Sequence, residues 1–233
     1  MNIRFYLSKF ISSIKKEEWQ LSENISLIYL FFFLFEKLIS LIRGFFFFPL
    51  SFKIIFLGSG TTIKDRLVFK FGKNLQIGKG CYIDALSVKG IHLENNVSIG
   101  KFTTIECTGS LKNLGIGLSV GEYSSLGSHG FFGCAGGISI GSNTIFGNFV
   151  SMHSENHNFK DKHVPIRLQG VNRLGIKIGN NCWIGSKVTI LDAVEIPDGC
   201  IIAAGALVLP GLYMENCIYG GVPAKLLKSR FDV

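Results

Sequence analysis

The chain has 233 residues with 47% hydrophobic and 17% charged residues, and this balance excludes an intrinsically disordered protein, which is poor in apolar residues and rich in charge. The formal net charge is +8, and eleven Lys and Arg against five acids fall within the first 73 residues, beside long apolar runs. This placement favours a membrane surface, and no nucleic-acid-binding motif accompanies the basic excess, so we expect no nucleic-acid partner.

The N-terminal region is predicted to be helical. Residues 1–24 are amphipathic in places and lack the shape of a cleavable signal. Residues 25–57 hold the longest apolar runs, but a Glu-Lys pair at 36–37 divides them, and a spanning helix needs about 20 mainly apolar residues. We therefore predict two short helices in the membrane interface. Their Phe and Leu side chains are expected to point into the bilayer, and their Lys and Arg side chains to lie at headgroup level. A hairpin that dips into the bilayer and a helical cap on the next domain are the alternatives.

From about residue 67 a six-residue repeat begins, in which an aliphatic residue precedes a Gly, small or acidic residue. Examples are Ile77-Gly78, Ile83-Asp84, Ile99-Gly100, Val120-Gly121, Ile140-Gly141, Ile178-Gly179 and Ile184-Gly185. A short strand and a two-residue corner satisfy this period, and three such units close a triangular coil that stacks at about 4.8 Å on the next. The repeat thus predicts an all-β solenoid of parallel sheets around one apolar column.

One long interruption breaks the repeat. Residues 153–177 are polar and hold three of the five histidines. A rigid scaffold that releases one His-rich loop is typical of a site built on a solenoid. We predict three regions: a helical, membrane-associating region (1–66), the solenoid with its active-site loop (67–222), and a short C-terminal helix that caps the last coil (223–233).

Four segments together carry a family resemblance: HSENHNF at 153–159, IGNNCWIGSKVTIL at 178–191, IIAAGALV at 201–208 and GGVPAKLLK at 220–228. In order and spacing they resemble the left-handed parallel β-helix acyltransferases with hexapeptide repeats, and within them the sugar O-acetyltransferases, including enzymes that acetylate surface polysaccharides. The resemblance implies left-handed coils, acetyl-CoA as acyl donor, no metal, and a homotrimer in which two subunits make each site.

The resemblance also implies the catalytic base. Transfer of an acetyl group from a thioester to a hydroxyl needs a base for the hydroxyl proton, and histidine suits this role because its pKa lies near neutrality. The family's general base matches His157. Glu155, Asp161 or a backbone carbonyl is expected to orient its ring, and His153 is the alternative base or a ligand of the substrate.

By the same resemblance, acetyl-CoA lies in a groove between two solenoids. Small residues line the pantetheine arm and two lysines stand near the nucleotide phosphates. The candidate CoA ligands are Gly185, Ser186, Ala204, Gly205, Lys225 and Lys228. The candidate acceptor ligands are His129, His153, Arg167, Gln169 and Trp183.

The favoured function is an acetyl-CoA-dependent O-acetyltransferase that modifies a sugar of a surface polysaccharide, or of its lipid-linked precursor, at the inner face of the cytoplasmic membrane. Transfer to the amine of an amino sugar is the alternative within this class. Two other classes stay open. One is a metal-dependent hydratase similar to the γ-class carbonic anhydrases, with His129, His153 and His157 as ligands. The other is a non-catalytic, membrane-bound scaffold.

Overall fold

A computed structural model describes residues 5, 6, 8, 9, 12, 18 and 20–232. The helical prediction for residues 1–24 therefore lies mostly outside the described residues. From residue 20 onward, one α-helix, α1 (Leu27–Phe47), precedes 26 short strands.

Most of the strands form three sheets, which are the three faces of a stacked coil. Sheet A contains β1 (Ile55–Leu57), β4 (Leu75–Ile77), β7 (Ser98–Ile99), β12 (Ser125–Leu126), β15 (Ile145–Phe146), β20 (Trp183–Ile184), β23 (Ile201–Ile202), β25 (Cys217–Gly220) and β26 (Lys225–Ser229). Sheet B contains β2 (Thr62–Lys64), β5 (Tyr82–Asp84), β8 (Thr104–Glu106), β13 (Phe131–Gly133), β16 (Ser151–His153), β21 (Thr189–Leu191) and β24 (Leu207–Val208). Sheet C contains β3 (Phe69–Phe71), β6 (Ile91–Leu93), β11 (Leu118–Val120), β14 (Ile138–Ile140), β19 (Ile176–Ile178) and β22 (Glu195–Ile196).

Two hairpins project where the chain passes from sheet B to sheet C. The first pairs β9 (Gly109–Ser110) with β10 (Asn113–Leu114), and the second pairs β17 (Asn156–His157) with β18 (Val171–Asn172). They leave two different coils at the same corner of the triangle, which we call corner BC. The corner between sheets A and B is called corner AB.

Each coil pairs in parallel with the next, so like residues stack on like. In sheet C, for example, Ile138 pairs with Ile176 and with Leu118 of the two neighbouring coils. The aliphatic residues of the repeat point inward and are buried in one continuous core. The prediction of stacked, three-sided coils is confirmed. The stacking begins at Ile55, upstream of the predicted boundary at residue 67.

The prediction of two short N-terminal helices is wrong, because α1 runs without a break from Leu27 to Phe47. The Ser26 hydroxyl caps its first turn by accepting the Tyr29 N–H at 3.1 Å. The Glu-Lys pair at 36–37 continues the helix, since both residues are good helix formers. Within the described part of the chain, no helix is both long and apolar enough to cross a bilayer.

The inner face of α1 covers the open edge of the first coil. Lys37 donates to the Gln76 side chain and Arg43 donates to the Leu57 carbonyl, both at 2.7 Å. These two basic groups therefore contact the solenoid. Their placement at headgroup level stays a prediction. Gly44 permits the contact, since a Cβ there would lie 2.2 Å from the Ile55 carbonyl oxygen.

The predicted C-terminal helix is also wrong. Residues 225–229 form β26, which pairs antiparallel with β25 and extends sheet A by one strand. The reason is the free edge of β25, whose unpaired backbone groups the tail satisfies. The Ala224 N–H and the Arg230 N–H add hydrogen bonds of 2.7 Å to the carbonyls of Leu207 and Asn216.

Candidate active site

The His-rich segment leaves the solenoid after β16 and returns at β19, and we call residues 154–175 the arm. Its root is fixed by buried polar groups. The Asp192 carboxylate, only 1% exposed, accepts the N–H groups of Leu174 and Gly175 at 3.0 and 2.7 Å. The Ser154 hydroxyl donates to the Gly133 carbonyl at 2.7 Å. The arm therefore starts and ends at fixed points on the core.

Arg173 ties the arm to the first hairpin. Its Nε donates to Glu155 Oε2 at 2.6 Å, and its Nη1 donates to the carbonyls of Asn113 and Leu114 at 3.2 Å. The side chains of Arg173 and Glu155 are only 14% and 27% exposed, so water screens this ion pair weakly. Neither Arg173 nor Asp192 is predicted from the sequence, because no local motif links residues that meet only after the coils stack.

His157 lies on the arm in β17, opposite Val171, with its side chain exposed. Of its two candidate orienting partners, Glu155 is held in the ion pair with Arg173. The other, Asp161, accepts the backbone N–H of His163 at 2.9 Å. Both carboxylates thus have roles in holding the arm in shape.

The two acceptor candidates in the returning half of the arm, Arg167 and Gln169, have different surroundings. The Gln169 amide donates to the carbonyls of Asp161 and Val164 at 2.8 and 2.6 Å, and it accepts the Asp161 N–H at 3.0 Å. Gln169 therefore organises the loop from within. Arg167 lies exposed in the short 3₁₀ turn Ile166–Leu168.

His153 ends β16 and sits on the outer face of sheet B. Its Nε2 lies 2.7 Å from the Ser151 hydroxyl oxygen, and its ring is 5.4 Å from that of Phe131. Burial lowers the pKa of His153 below its ordinary value. The lowered pKa favours the neutral form of this ring.

His129 stands at corner AB, one coil before the arm. Its ring stacks between those of Phe102 and Phe149, at centroid distances of 5.1 and 4.9 Å. It is therefore separated from the arm that carries His157. Among residues 20–232 and the few described before them, no three His, Cys, Asp or Glu side chains are grouped to hold a metal ion.

The candidate CoA residues fall on corner AB and on the last strand. Ser186 and Ala204 occupy the same corner of successive coils and are exposed. A Cβ on Gly205, which has φ +73°, would meet no atom within 4 Å, so the surface beside Ala204 is open. Lys225 and Lys228 lie exposed on β26.

Trp183 lies on the outer face of sheet A, in register with Ile145 and Ile201. Its side chain is 52% exposed, and Ile145 beside it is 49% exposed. It faces away from the arm, at a different side of the triangle.

Residues 175–210, which span the coils after the arm, match the family model described as bacterial transferase hexapeptide (six repeats). Over these residues the chain carries the six-residue repeats that the family model describes. This assignment agrees with the stacked coils, since six residues is the period of one face and corner.

Named relatives and solved structures extend the match of this hexapeptide-repeat chain. A probable acetyltransferase of Mycobacterium tuberculosis is 30% identical over 156 residues, which cover 66% of this chain and 49% of that protein. A putative lipopolysaccharide biosynthesis O-acetyl transferase of Escherichia coli is 25% identical over 174 residues, which cover 72% of this chain and 74% of that protein. The chain thus spans about half the length of the first relative. A hexapeptide-repeat-containing acetyltransferase from Vibrio cholerae shares the fold, with a TM-score of 0.50 and 19% identity. The match covers 72% of this chain and 77% of that one.

Proposed function

We propose that this chain is an acetyl-CoA-dependent O-acetyltransferase that modifies a sugar hydroxyl of a surface polysaccharide or of its lipid-linked precursor. The observation that carries the proposal is an exposed histidine on an arm that buried polar groups hold at its root and a partly buried ion pair holds at its flank. Such pinning suits a base that must meet a reacting hydroxyl at hydrogen-bond distance. The named acetyltransferase relatives support the same reaction class.

In the proposed reaction, His157 takes the proton of the acceptor hydroxyl as its oxygen attacks the thioester carbonyl of acetyl-CoA. The tetrahedral intermediate then collapses, the carbon–sulfur bond breaks, and the imidazolium returns the proton to the leaving thiolate. The products are an acetyl ester and free CoA. Neither a covalent acyl-enzyme nor a metal ion is needed for these steps.

The separation of the two halves of the site supports a homotrimer. His157 is carried by the arm at corner BC, whereas Ser186 and Ala204 lie at corner AB. Sheet B lies between these corners within one chain. A neighbouring subunit that presents its corner AB to the arm would complete the site. We also expect the coils to be left-handed, as the resemblance to the left-handed β-helix acyltransferases implies.

A substitution at corner AB tests the proposed binding of acetyl-CoA there. We expect Ala204→Glu to raise the dissociation constant for acetyl-CoA at least about 10-fold, because the added carboxylate fills the corner and repels the phosphates. Ser59→Glu is the matched control, since it adds the same charge to corner AB on the first coil. Isothermal titration of the full chain measures both. Equal affinity of the two variants and the wild type would place CoA elsewhere.

The outer face of α1 supports attachment to a lipid surface. The exposed apolar side chains surround the first half of α1 and continue along its second half. They are Leu27, Ile28, Tyr29, Phe31, Phe32, Phe33, Leu34, Phe35, Leu38, Ile39, Ile42, Phe45 and Phe46. Lys37 and Arg43 bind the protein, so Glu36 is the remaining charged side chain of α1 that opposes burial in acyl chains. An enzyme held at the inner face of the membrane would meet a lipid-linked acceptor there.

Vesicle binding tests this placement. We expect the full chain to sediment with vesicles of phosphatidylethanolamine and phosphatidylglycerol, and the variant Phe31→Ser/Phe35→Ser/Leu38→Ser to lose at least about 10-fold in partitioning. Leu212→Ser removes an apolar side chain that is even more exposed, near the opposite end of the solenoid, and this variant should bind as the wild type does. Undiminished binding of the triple variant would refute attachment through α1.

A further inference from the structure

The aromatic ring of Phe131 lies on the outer side of sheet B, between the roots of the two hairpins. Successive strands place Glu106, Gly133 and His153 in register on the outer side of this sheet. Glu106 directly precedes the first hairpin and His153 directly precedes the arm. The coil between them turns from sheet B to sheet C through only four residues, 134–137, so no hairpin rises there.

The ring of Phe131 extends over this gap because the middle position is glycine. A Cβ on Gly133 would lie 3.2 Å from Phe131 Cε1, with Cζ at 3.7 Å. Any larger residue at 133 would push the ring away from the sheet. The ring is half-buried, with its inner side against the glycine, and its outer side is left open.

Polar groups border the ring on both sides. The Glu106 carboxylate is exposed, and it interacts electrostatically with Lys64, two strands away in the same sheet. On the other side stand the His153 imidazole and the Ser151 hydroxyl, 2.7 Å apart. A carboxylate accepts hydrogen bonds, and a neutral imidazole offers one donor and one acceptor.

A pyranose ring has the complementary chemistry. Its C–H face is weakly positive and apolar, which suits the negative face of an aromatic ring, while its rim carries hydroxyls that donate to a carboxylate and exchange hydrogen bonds with imidazole. We propose that Phe131, with Glu106 and His153 at its two sides, forms a binding subsite for a hexopyranose ring. The inference rests on the proposed function, and it assigns the part of the acceptor that stands beside the arm.

The location fits the reaction. The arm that carries His157 leaves the solenoid one residue after His153. Arg173 joins that arm to the hairpin that follows Glu106. A sugar on Phe131 therefore lies between two elements that one side chain already links.

Two substitutions test the subsite. Phe131→Leu keeps an apolar side chain but removes the ring, and Glu106→Gln keeps the shape but removes the charge. We expect each to raise the KM for the acceptor at least about 10-fold while the KM for acetyl-CoA stays within about 2-fold, because only the sugar contacts are lost. Tyr123→Leu is the matched control, an exposed aromatic residue at a different corner. An unchanged acceptor KM in both test variants overturns the inference.

A binding measurement separates this inference from the proposed function. The probes are methyl glycosides of the common hexoses and N-acetylhexosamines, without acetyl-CoA, followed by saturation-transfer NMR on the full chain. If the wild type binds a glycoside and Phe131→Leu loses it, the subsite stands even where no acetyl transfer is seen. If no glycoside binds, or if Phe131→Leu binds equally well, the subsite is wrong whatever the fate of the transferase assignment.

Discussion

Replacing His157 by alanine is expected to lower kcat for acetyl transfer by about 10² to 10⁴-fold, the usual contribution of a positioned general base. The KM for acetyl-CoA should change by less than about 3-fold, since the CoA residues lie at another corner of the coil. Because the His157 side chain is exposed, the melting temperature should stay unchanged. Steady-state kinetics with saturating acceptor and a thermal melt measure these effects.

Two other histidines serve as controls for this experiment. His163→Ala removes an exposed imidazole from the same arm, and its kcat should stay within about 2-fold of the wild type. His153→Ala tests the alternative base. A loss of kcat in His153→Ala together with a retained kcat in His157→Ala would transfer the role of base to His153. Near wild-type turnover in both variants would exclude both His153 and His157 as the general base.

Replacing Arg173 by alanine should lower kcat by about 10 to 100-fold without touching a reacting atom. The change leaves the Glu155 carboxylate unpaired and frees the two hairpin carbonyls, so the arm loses its tie to the first hairpin. A displacement of about 1 Å at a distant contact can reduce turnover by about 100-fold. The KM for acetyl-CoA should stay within about 3-fold. Kinetics and a thermal melt separate loss of positioning from loss of folding.

Conservative and paired variants sharpen this prediction. Arg173→Lys should recover part of the rate, because one ammonium can meet Glu155 but cannot also reach both carbonyls. Arg173→Ala and Glu155→Ala combined should cost less than the sum of the single effects, since they break one interaction. Additive effects, or a kcat of Arg173→Ala within about 2-fold of the wild type, would contradict a positioning role.

The six-residue period predicted the solenoid because it reports directly on which residues face inward. Ile178 and Ile184 are buried one face apart, as their spacing requires. The local sequence pattern predicted the secondary structure of the N-terminal and C-terminal regions less well. The Glu-Lys pair at 36–37 divides the apolar run and so favours two short helices, but one helix continues through it, and Lys37 donates a hydrogen bond to Gln76 of the second coil. The tail forms a strand because the edge of β25 is free, which only the assembled sheet reveals.

The candidate site shows a similar division. The arm and its histidines were visible as an interruption of the repeat, whereas the contacts that fix the arm were not. Arg173 reaches Asn113, sixty residues earlier in the chain, and Asp192 holds the arm root from eighteen residues later. No local spacing encodes such pairs. The same holds for Phe131, whose ring lies over Gly133 only because the coils place both on the same face of sheet B.

Acceptor-dependent release of the CoA thiol is the most direct test of the proposed transferase. The full chain is mixed with acetyl-CoA and with each member of a panel of sugars and lipid-linked oligosaccharides. The concentration of free thiol is followed over time, and the mass of the saccharide product is measured by mass spectrometry. We expect thiol release to rise with one acceptor, and the product to gain one acetyl group in an alkali-labile ester. An alkali-stable product would indicate transfer to an amine. Thiol release that no acceptor stimulates, with every saccharide recovered unmodified, would contradict the assignment.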